Sequence, residues 1–201
     1  MKKILFSFLL LIFFAQGNVL ASESNPRDYV VKIANDIFAV VSNKKISIEN
    51  QRKMLVENFI DEIDFNWNAR AASGIYWRQM NEEQRGDFVK YYKNFLIKIW
   101  MPKFSGYKDE KYSVLEKYET MDNGDFIVNV EIVKHDGIKI NLSFRVRKFD
   151  DKFKILNVIA EGVDMARTYN IQFTEYADKH GLEALLDYVK TGKSKDLSKS
   201  K

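Results

Sequence analysis

Residues 126–147 read FIVNVEIVKHDGIKINLSFRVR, and large apolar side chains recur there at every second position. A period of two is typical of strands that bury one face of a sheet. Asp136-Gly137 divides the stretch, and this dipeptide is favoured in tight hairpin turns. The stretch therefore predicts a β-hairpin with one strongly apolar face, formed by Phe126, Val128, Val130, Ile132, Ile140, Leu142, Phe144 and Val146.

Two more strands are predicted beside this hairpin. One spans residues 112–119, and the other runs from Phe153 to about Val163 after a turn at Asp150-Asp151. Short connections between neighbouring strands favour antiparallel pairing. We therefore expect a mostly antiparallel sheet of about four or five strands.

Apolar residues at helical spacing predict amphipathic helices on both sides of the strand block. Two helices are predicted to begin near Pro26 and Ile48, and a third spans residues 66–77. A fourth runs from Asn81, an N-cap with Gln84 as its partner, to about Trp100, and helical spacing resumes at Met165. An antiparallel sheet with one solvent-exposed face must bury its other, apolar face against further elements. The fold class is therefore predicted as α+β, with the helices covering the sheet.

The first twenty-one residues have the pattern of a secretory signal peptide. Lys2 and Lys3 precede an apolar run over residues 4–15, and Val19-Leu20-Ala21 supplies the small-residue cleavage pattern. This run is shorter than the roughly 20 residues of a transmembrane helix. We expect cleavage after Ala21, a single domain over residues 22–190 and a flexible Lys/Ser-rich tail over 191–201.

The amino-acid composition indicates the cellular compartment of the protein and excludes some classes of site and partner. The chain has 201 residues, 46% of them hydrophobic, and no cysteine, which excludes a disulfide scaffold and a Cys-ligated metal site. An exported chain without cysteine fits the bacterial periplasm better than a eukaryotic exterior. The net charge of +4 is too weak to indicate a nucleic-acid partner. A periplasmic monomer is expected.

The sequence contains no recognisable catalytic motif. His135 and His180 fall at predicted turns, and neither accompanies a serine nucleophile with an orienting carboxylate. Glu161 and Asp164 could form a pair for acid–base chemistry, although solvated carboxylates at a sheet edge are the commoner case. There is no glycine-rich phosphate loop. We therefore predict no catalytic residue, no metal site and no cofactor.

The apolar faces of the predicted layers have two interpretations. They could interlock as a filled core, or they could leave a cavity for an apolar ligand, which is usually lined in the same way. Periodicity does not separate the two. Besides the hairpin face, the candidates on the helices are Trp67, Trp77, Phe88, Tyr92, Phe95, Ile99, Tyr169 and Phe173.

Three stretches resemble the MlaC family, also called the toluene-tolerance family. They are FNWNARAASGIYWRQMNEEQRGDF at residues 65–88, VNVEIVKHDGIKINLSFRVRKFDDKFKILNVIAEGV at 128–163, and YNIQF at 169–173. The resemblance covers roughly residues 28–190. Its specificity lies in the order of these stretches behind a signal peptide, because no single motif is catalytic.

The resemblance implies a periplasmic phospholipid carrier. Members of this family hold a glycerophospholipid with its acyl chains in a cavity between a curved sheet and helices. They pass lipid between an outer-membrane lipoprotein–porin complex and an inner-membrane ABC transporter with an MCE-domain subunit, which maintains outer-membrane lipid asymmetry. The candidate lipid-binding residues are then Trp67, Trp77, Phe88, Tyr92, Phe95, Ile99, Phe126, Val128, Val130, Ile140, Leu142, Phe144, Val146, Tyr169 and Phe173.

A cationic cluster offers a candidate docking surface. Arg145 and Arg147 lie in the hairpin near Lys148, Lys152 and Lys154. The cluster could steer the chain towards acidic partners or anionic lipid, or it could simply solvate a sheet face.

Two rival functions also stay open. One is an exported small-molecule enzyme using Glu161, Asp164, His135 or Tyr169, and the other is an adaptor with a filled core and no ligand.

Overall fold

The structure is a computed structural model that describes residues 25–104 and 109–193. The predicted signal peptide lies outside the described residues. The predicted tail does so too, except for its first three positions. The fold below is therefore that of the predicted domain.

Five antiparallel strands form one sheet in the order of the chain. They are β1 (Lys111–Thr120), β2 (Phe126–Val133), β3 (Lys139–Phe149), β4 (Lys152–Ala160) and β5 (Val163–Asp164). The predicted hairpin is confirmed as β2 and β3. Phe126 pairs with Val146, and Val130 pairs with Leu142, so the predicted apolar residues share one face.

The predicted strand from Phe153 to Val163 is divided in the structure. Strand β4 ends at Ala160, and Glu161 and Gly162 both have positive φ angles, 49° and 76°. This conformation turns the chain back, so that Val163 pairs with Ala160 in the short strand β5. The prediction of one continuous strand was wrong because the apolar pattern does not show where the backbone reverses.

Seven α-helices lie within the described residues: α1 (Pro26–Val41), α2 (Ile48–Phe59), α3 (Phe65–Ser73), α4 (Tyr76–Gln79), α5 (Glu82–Trp100), α6 (Met165–His180) and α7 (Leu182–Thr191). Side-chain caps begin most of them. Asn81 accepts a hydrogen bond from the Gln84 backbone, and the Gln84 side chain accepts one from the Asn81 backbone. The capping box predicted for the longest helix is thus confirmed.

The predicted helix over residues 66–77 is interrupted at Gly74. The φ angle of Gly74 is +57°, and it lies between α3 and α4. A Cβ atom at this position would lie 2.3 Å from Nδ2 of Asn170 on α6. The positive φ angle and the nearby Asn170 side chain therefore favour glycine at this break, which helical periodicity alone does not reveal.

Three apolar clusters hold the elements together. The first joins α1 to the sheet through Val30, Ile33, Val128 and Val146. The second packs α3, α5, α6 and α7 around the fully buried rings of Phe88, Tyr92 and Phe173. The third joins α1 to α2 through Val40, Val41 and Leu55. The predicted α+β arrangement, a sheet covered by amphipathic helices, is confirmed.

None of the helices within residues 25–104 and 109–193 is long and apolar enough to span a membrane.

Candidate ligand-binding cavity

A cavity of about 240 Å³ lies where the three apolar clusters meet. One wall is the apolar face of β2, β3 and β4. The opposite walls come from α1 and α2, the C-terminal half of α5 and the start of α6. The predicted cavity between sheet and helices is therefore present.

The lining is almost entirely apolar. Every contributing element presents aliphatic or aromatic side chains, including Val30, Ile33, Ala34, Ile37 and Phe38 from α1, Leu55 and Phe59 from α2, Leu96, Ile97 and Trp100 from α5, Val130, Ile132, Leu142, Phe144, Ile155 and Val158 from the sheet, and Met165 from α6. Such a surface favours hydrocarbon over water.

The buried polar groups of the lining are hydrogen-bonded within the protein. The Asn68 amide donates to the Leu156 carbonyl at 2.5 Å, and the Tyr92 hydroxyl donates to Oδ1 of Asn68 at 3.1 Å. The Asn157 amide donates to Asp164 at 2.8 Å, and its oxygen accepts from the Ala166 backbone. These bonds remove the cost of burying the two amides beside the cavity.

One carboxylate, Glu62, also lies in the lining. Its Oε2 accepts a hydrogen bond of 2.9 Å from the Tyr29 hydroxyl, and Tyr29 is 2% exposed. The bond holds the short 3₁₀ turn Ile60–Glu62 against α1. Glu62 therefore ties two walls of the cavity together.

Two tyrosines, Tyr92 and Tyr169, are among the lining residues. Burial raises the pKa of Tyr92 well above its usual value, and the nearby Tyr169 adds to the rise. Burial also raises the pKa of Tyr169, and a hydrogen bond from Trp100 partly opposes that rise. Both side chains are neutral at physiological pH, so they add no charge to the cavity.

The structure brings five of the predicted lipid-binding residues to the cavity: Tyr92, Val130, Leu142, Phe144 and Tyr169. These five come from α5, α6 and the hairpin. Whether they touch lipid stays a prediction, but their placement agrees with it.

The other candidates lie elsewhere in the fold. Phe88, Phe95 and Phe173 are in the helical cluster, with Trp77 and Ile99 packed against it. Phe126, Val128 and Val146 are in the cluster between α1 and the sheet. Ile140 pairs with Ile132 near the hairpin turn. The Arg145 guanidinium lies over the Trp67 ring, with its central carbon 5.0 Å from the ring centroid.

Sequence reasoning missed the contribution of α1 and α2 to the lining. Ile33, Ile37, Leu55 and Phe59 all lie on the predicted apolar faces of these helices. The available signal was their helical spacing, which identifies a buried face. It does not say that this face borders an open space.

Arg145 and Arg147, the candidate docking residues, both contact Asp125. The carboxylate of Asp125 is fully buried, and it pairs with Arg145 at 2.5 Å and with Arg147 at 2.6 Å. The two arginine side chains are 21% and 31% exposed. Their charges therefore stabilise the turn before β2, and their role in docking remains a prediction.

The residues considered for catalysis have structural contacts. The Asp164 side chain caps α6 by accepting from the Arg167 backbone at 2.8 Å. Glu161 accepts from the Asn141 backbone at the end of the sheet, while His135 is exposed in the hairpin turn. Within the part of the chain that the structure describes, no three His, Asp or Glu side chains are grouped as metal ligands.

The fold and sequence match known proteins in two comparisons. A phospholipid-binding protein from Ralstonia solanacearum, solved in complex with a phospholipid, superposes with a TM-score of 0.72 at 20% sequence identity. The match covers 84% of this chain and 98% of that protein. No curated protein matches the sequence. Residues 31–191 match the family described as MlaC protein, and because this is most of the chain, the protein belongs to the MlaC family.

Proposed function

We propose that this protein is a periplasmic phospholipid carrier that encloses acyl chains in the cavity between sheet and helices. It shuttles glycerophospholipid between an outer-membrane lipoprotein–porin complex and an inner-membrane ABC transporter with an MCE-domain subunit. This exchange maintains the lipid asymmetry of the outer membrane. The observation that carries the proposal is an apolar cavity at the junction of the three core clusters.

Membership of the MlaC family and the likeness to a phospholipid-binding fold support this choice of ligand. The lining supports it independently. A hydrocarbon chain gains about 0.8 kcal/mol for each methylene group that leaves water. Lipid tails therefore need an enclosed, apolar path across an aqueous compartment.

The cavity volume indicates how the ligand is accommodated. A dry cavity of about 150 Å³ binds benzene. The present cavity, about 240 Å³, thus admits a hydrocarbon segment but not a complete phospholipid tail region. Binding of a whole lipid requires the walls to move apart. Transfer by this route consists of binding and release, so it needs no nucleophile or metal.

Filling the cavity from α1 tests the proposal. Ala34 lines the cavity, whereas Ala39 on the same helix is exposed. Ala34→Trp places a large ring in the space for hydrocarbon and should lower the affinity for a fluorescent phospholipid by more than tenfold. Ala39→Trp adds the same ring outside and should leave the affinity unchanged.

Circular dichroism of both variants controls for folding. If a folded Ala34→Trp variant binds the fluorescent phospholipid as tightly as the natural chain, this cavity is not the lipid site. If neither the natural chain nor Ala39→Trp binds the probe, the carrier function itself is wrong.

A further inference from the structure

Four exposed lysines lie where α5 and α7 pack together, two from α5, one from α7 and one just after it: Lys90, Lys98, Lys190 and Lys193. The Nζ atoms of Lys90 and Lys190 lie over the same ring, 5.8 Å and 5.4 Å from the centroid of Tyr91. Nζ of Lys98 lies 3.6 Å from the position that a Cβ atom would take on Gly192. These four lysines form the α5–α7 lysine surface.

The helices α5 and α7 run in the same direction. Near their starts, the Gln84 side chain donates a hydrogen bond of 2.9 Å to Glu183. Near their ends, Lys98 approaches Gly192, which caps α7. The first turn of each helix is acidic and the last turn is basic, so the positive charge gathers towards the paired C-terminal ends.

No carboxylate pairs with these lysines among residues 25–104 and 109–193. Asp87 and Asp187 are exposed three residues before Lys90 and Lys190, but neither forms an ion pair with them. A favourable interaction with the helix dipole accounts for Lys98 and Lys190 in the last turns. It does not account for Lys90, which lies in the middle of α5.

The sequence that follows this surface is also basic. Residues 194–201, which lie outside the described residues, contain Lys195, Lys199 and Lys201 against Asp196 alone. Clusters of about four to eight basic residues are typical of segments that bind anionic lipid surfaces. The α5–α7 lysine surface reaches this size without the residues that follow it.

The composition of the surface favours a membrane over a protein partner. Protein interfaces are depleted in lysine and centre on apolar or aromatic side chains that become buried. Here the aromatic residue at the centre, Tyr91, has two ammonium groups over its ring. The surface therefore offers positive charge spread over two helices, which matches a broad layer of anionic head groups.

We propose that the α5–α7 lysine surface docks this protein on membranes that contain anionic phospholipid. The end of α5 that carries Lys98 also lines the cavity through Leu96, Ile97 and Trp100. The docking surface and the cavity thus share one helix, and docking holds the cavity close to a source of lipid. The inference goes beyond the proposed carrier function, because docking by charge requires no lipid in the cavity.

Vesicle flotation tests this docking surface. The natural chain should float with vesicles of equimolar phosphatidylglycerol and phosphatidylcholine in about 0.1 M salt. It should not float with phosphatidylcholine vesicles, or with the anionic vesicles in about 1 M salt, which screens the charges. Each lysine near an anionic surface contributes about fivefold in affinity. Lys98→Gln combined with Lys190→Gln should therefore weaken binding to the anionic vesicles by more than tenfold.

Lys32→Gln combined with Lys53→Gln is the matched control. It removes the same charge from α1 and α2, where Lys32 pairs with Asp36 at 3.2 Å and Lys53 pairs with Glu57 at 3.8 Å. Because these lysines are already neutralised and lie outside the proposed surface, binding to the anionic vesicles should change by less than about twofold.

Equal weakening in the two double variants would mean that net charge alone governs binding, which overturns the proposal. A natural chain that does not float with anionic vesicles, or that binds only an acidic protein, also overturns it. If Lys98→Gln with Lys190→Gln does not fold, as judged by circular dichroism, Lys90→Gln with Lys193→Gln tests the same surface. A natural chain that docks but binds no fluorescent phospholipid contradicts the carrier function alone.

Discussion

Asp125 is a fully buried carboxylate whose charge is balanced by two arginines. Burial alone would raise the pKa of Asp125, but hydrogen bonds from Arg147 and Arg145 outweigh burial and lower it. The same contact raises the pKa of Arg147. A lowered pKa in the folded state means that the ionised carboxylate stabilises the fold.

Asp125→Asn should therefore destabilise the protein by about 2 kcal/mol at neutral pH, since it leaves two guanidinium groups without their anion. The contribution is complete above the unfolded pKa of about 3.9 and disappears as the pH falls through the lower folded value. The difference in the free energy of unfolding between variant and natural chain should consequently shrink in acid, which urea titrations at neutral and low pH measure.

Asp122→Asn provides the comparison, because Asp122 is exposed in the same turn. It should change stability by less than about 0.5 kcal/mol at either pH. An Asp125→Asn variant that is equally mild at neutral pH would mean that the two ion pairs contribute nothing to the fold.

Side-chain roles were the least predictable feature of this chain. The charges of Arg145 and Arg147 and their shared strand face could be recognised in the sequence, but their common partner could not. Asp125 lies twenty residues or more before them, and its burial depends on how the β1–β2 turn folds back.

At the level of elements, Gly74 and Gly86 are a matched pair of helix-associated glycines. Gly74 has a positive φ angle and no room for a side chain, whereas Gly86 lies in α5 with nothing within 4 Å of a Cβ atom. Gly74→Ala should destabilise the fold by about 2 kcal/mol or more, through backbone strain and contact with Asn170.

Gly86→Ala should stabilise it by about 0.5–1 kcal/mol, because alanine loses less conformational entropy in a helix. Thermal unfolding of the two variants gives the comparison. If Gly74→Ala were as stable as the natural chain, the break between α3 and α4 would not depend on glycine.

Elements with purely local causes could be predicted. The hairpin follows from alternation around Asp136-Gly137, and the start of α5 follows from Asn81 and Gln84, which bond to each other three residues apart. The two interruptions, at Gly74 and at Glu161-Gly162, could not. Glycine permits a positive φ angle but does not require one, so the decision rests with distant packing.

For the whole molecule, the layers were predictable, and the space between them was not. An apolar face has the same sequence pattern whether it touches its neighbour or leaves a gap. The cavity arises because α1 and α2 border the sheet on one side and α5 and α6 border it on another. The prediction that this cavity binds lipid came from the resemblance to the MlaC family. The family match supports that resemblance.

The most direct test of the carrier account is mass spectrometry, under non-denaturing conditions, of the protein purified from its native compartment. We predict an added mass equal to one phospholipid, which organic extraction removes and the same lipid restores. A protein that carries no lipid and gains none from phospholipid vesicles would contradict the account.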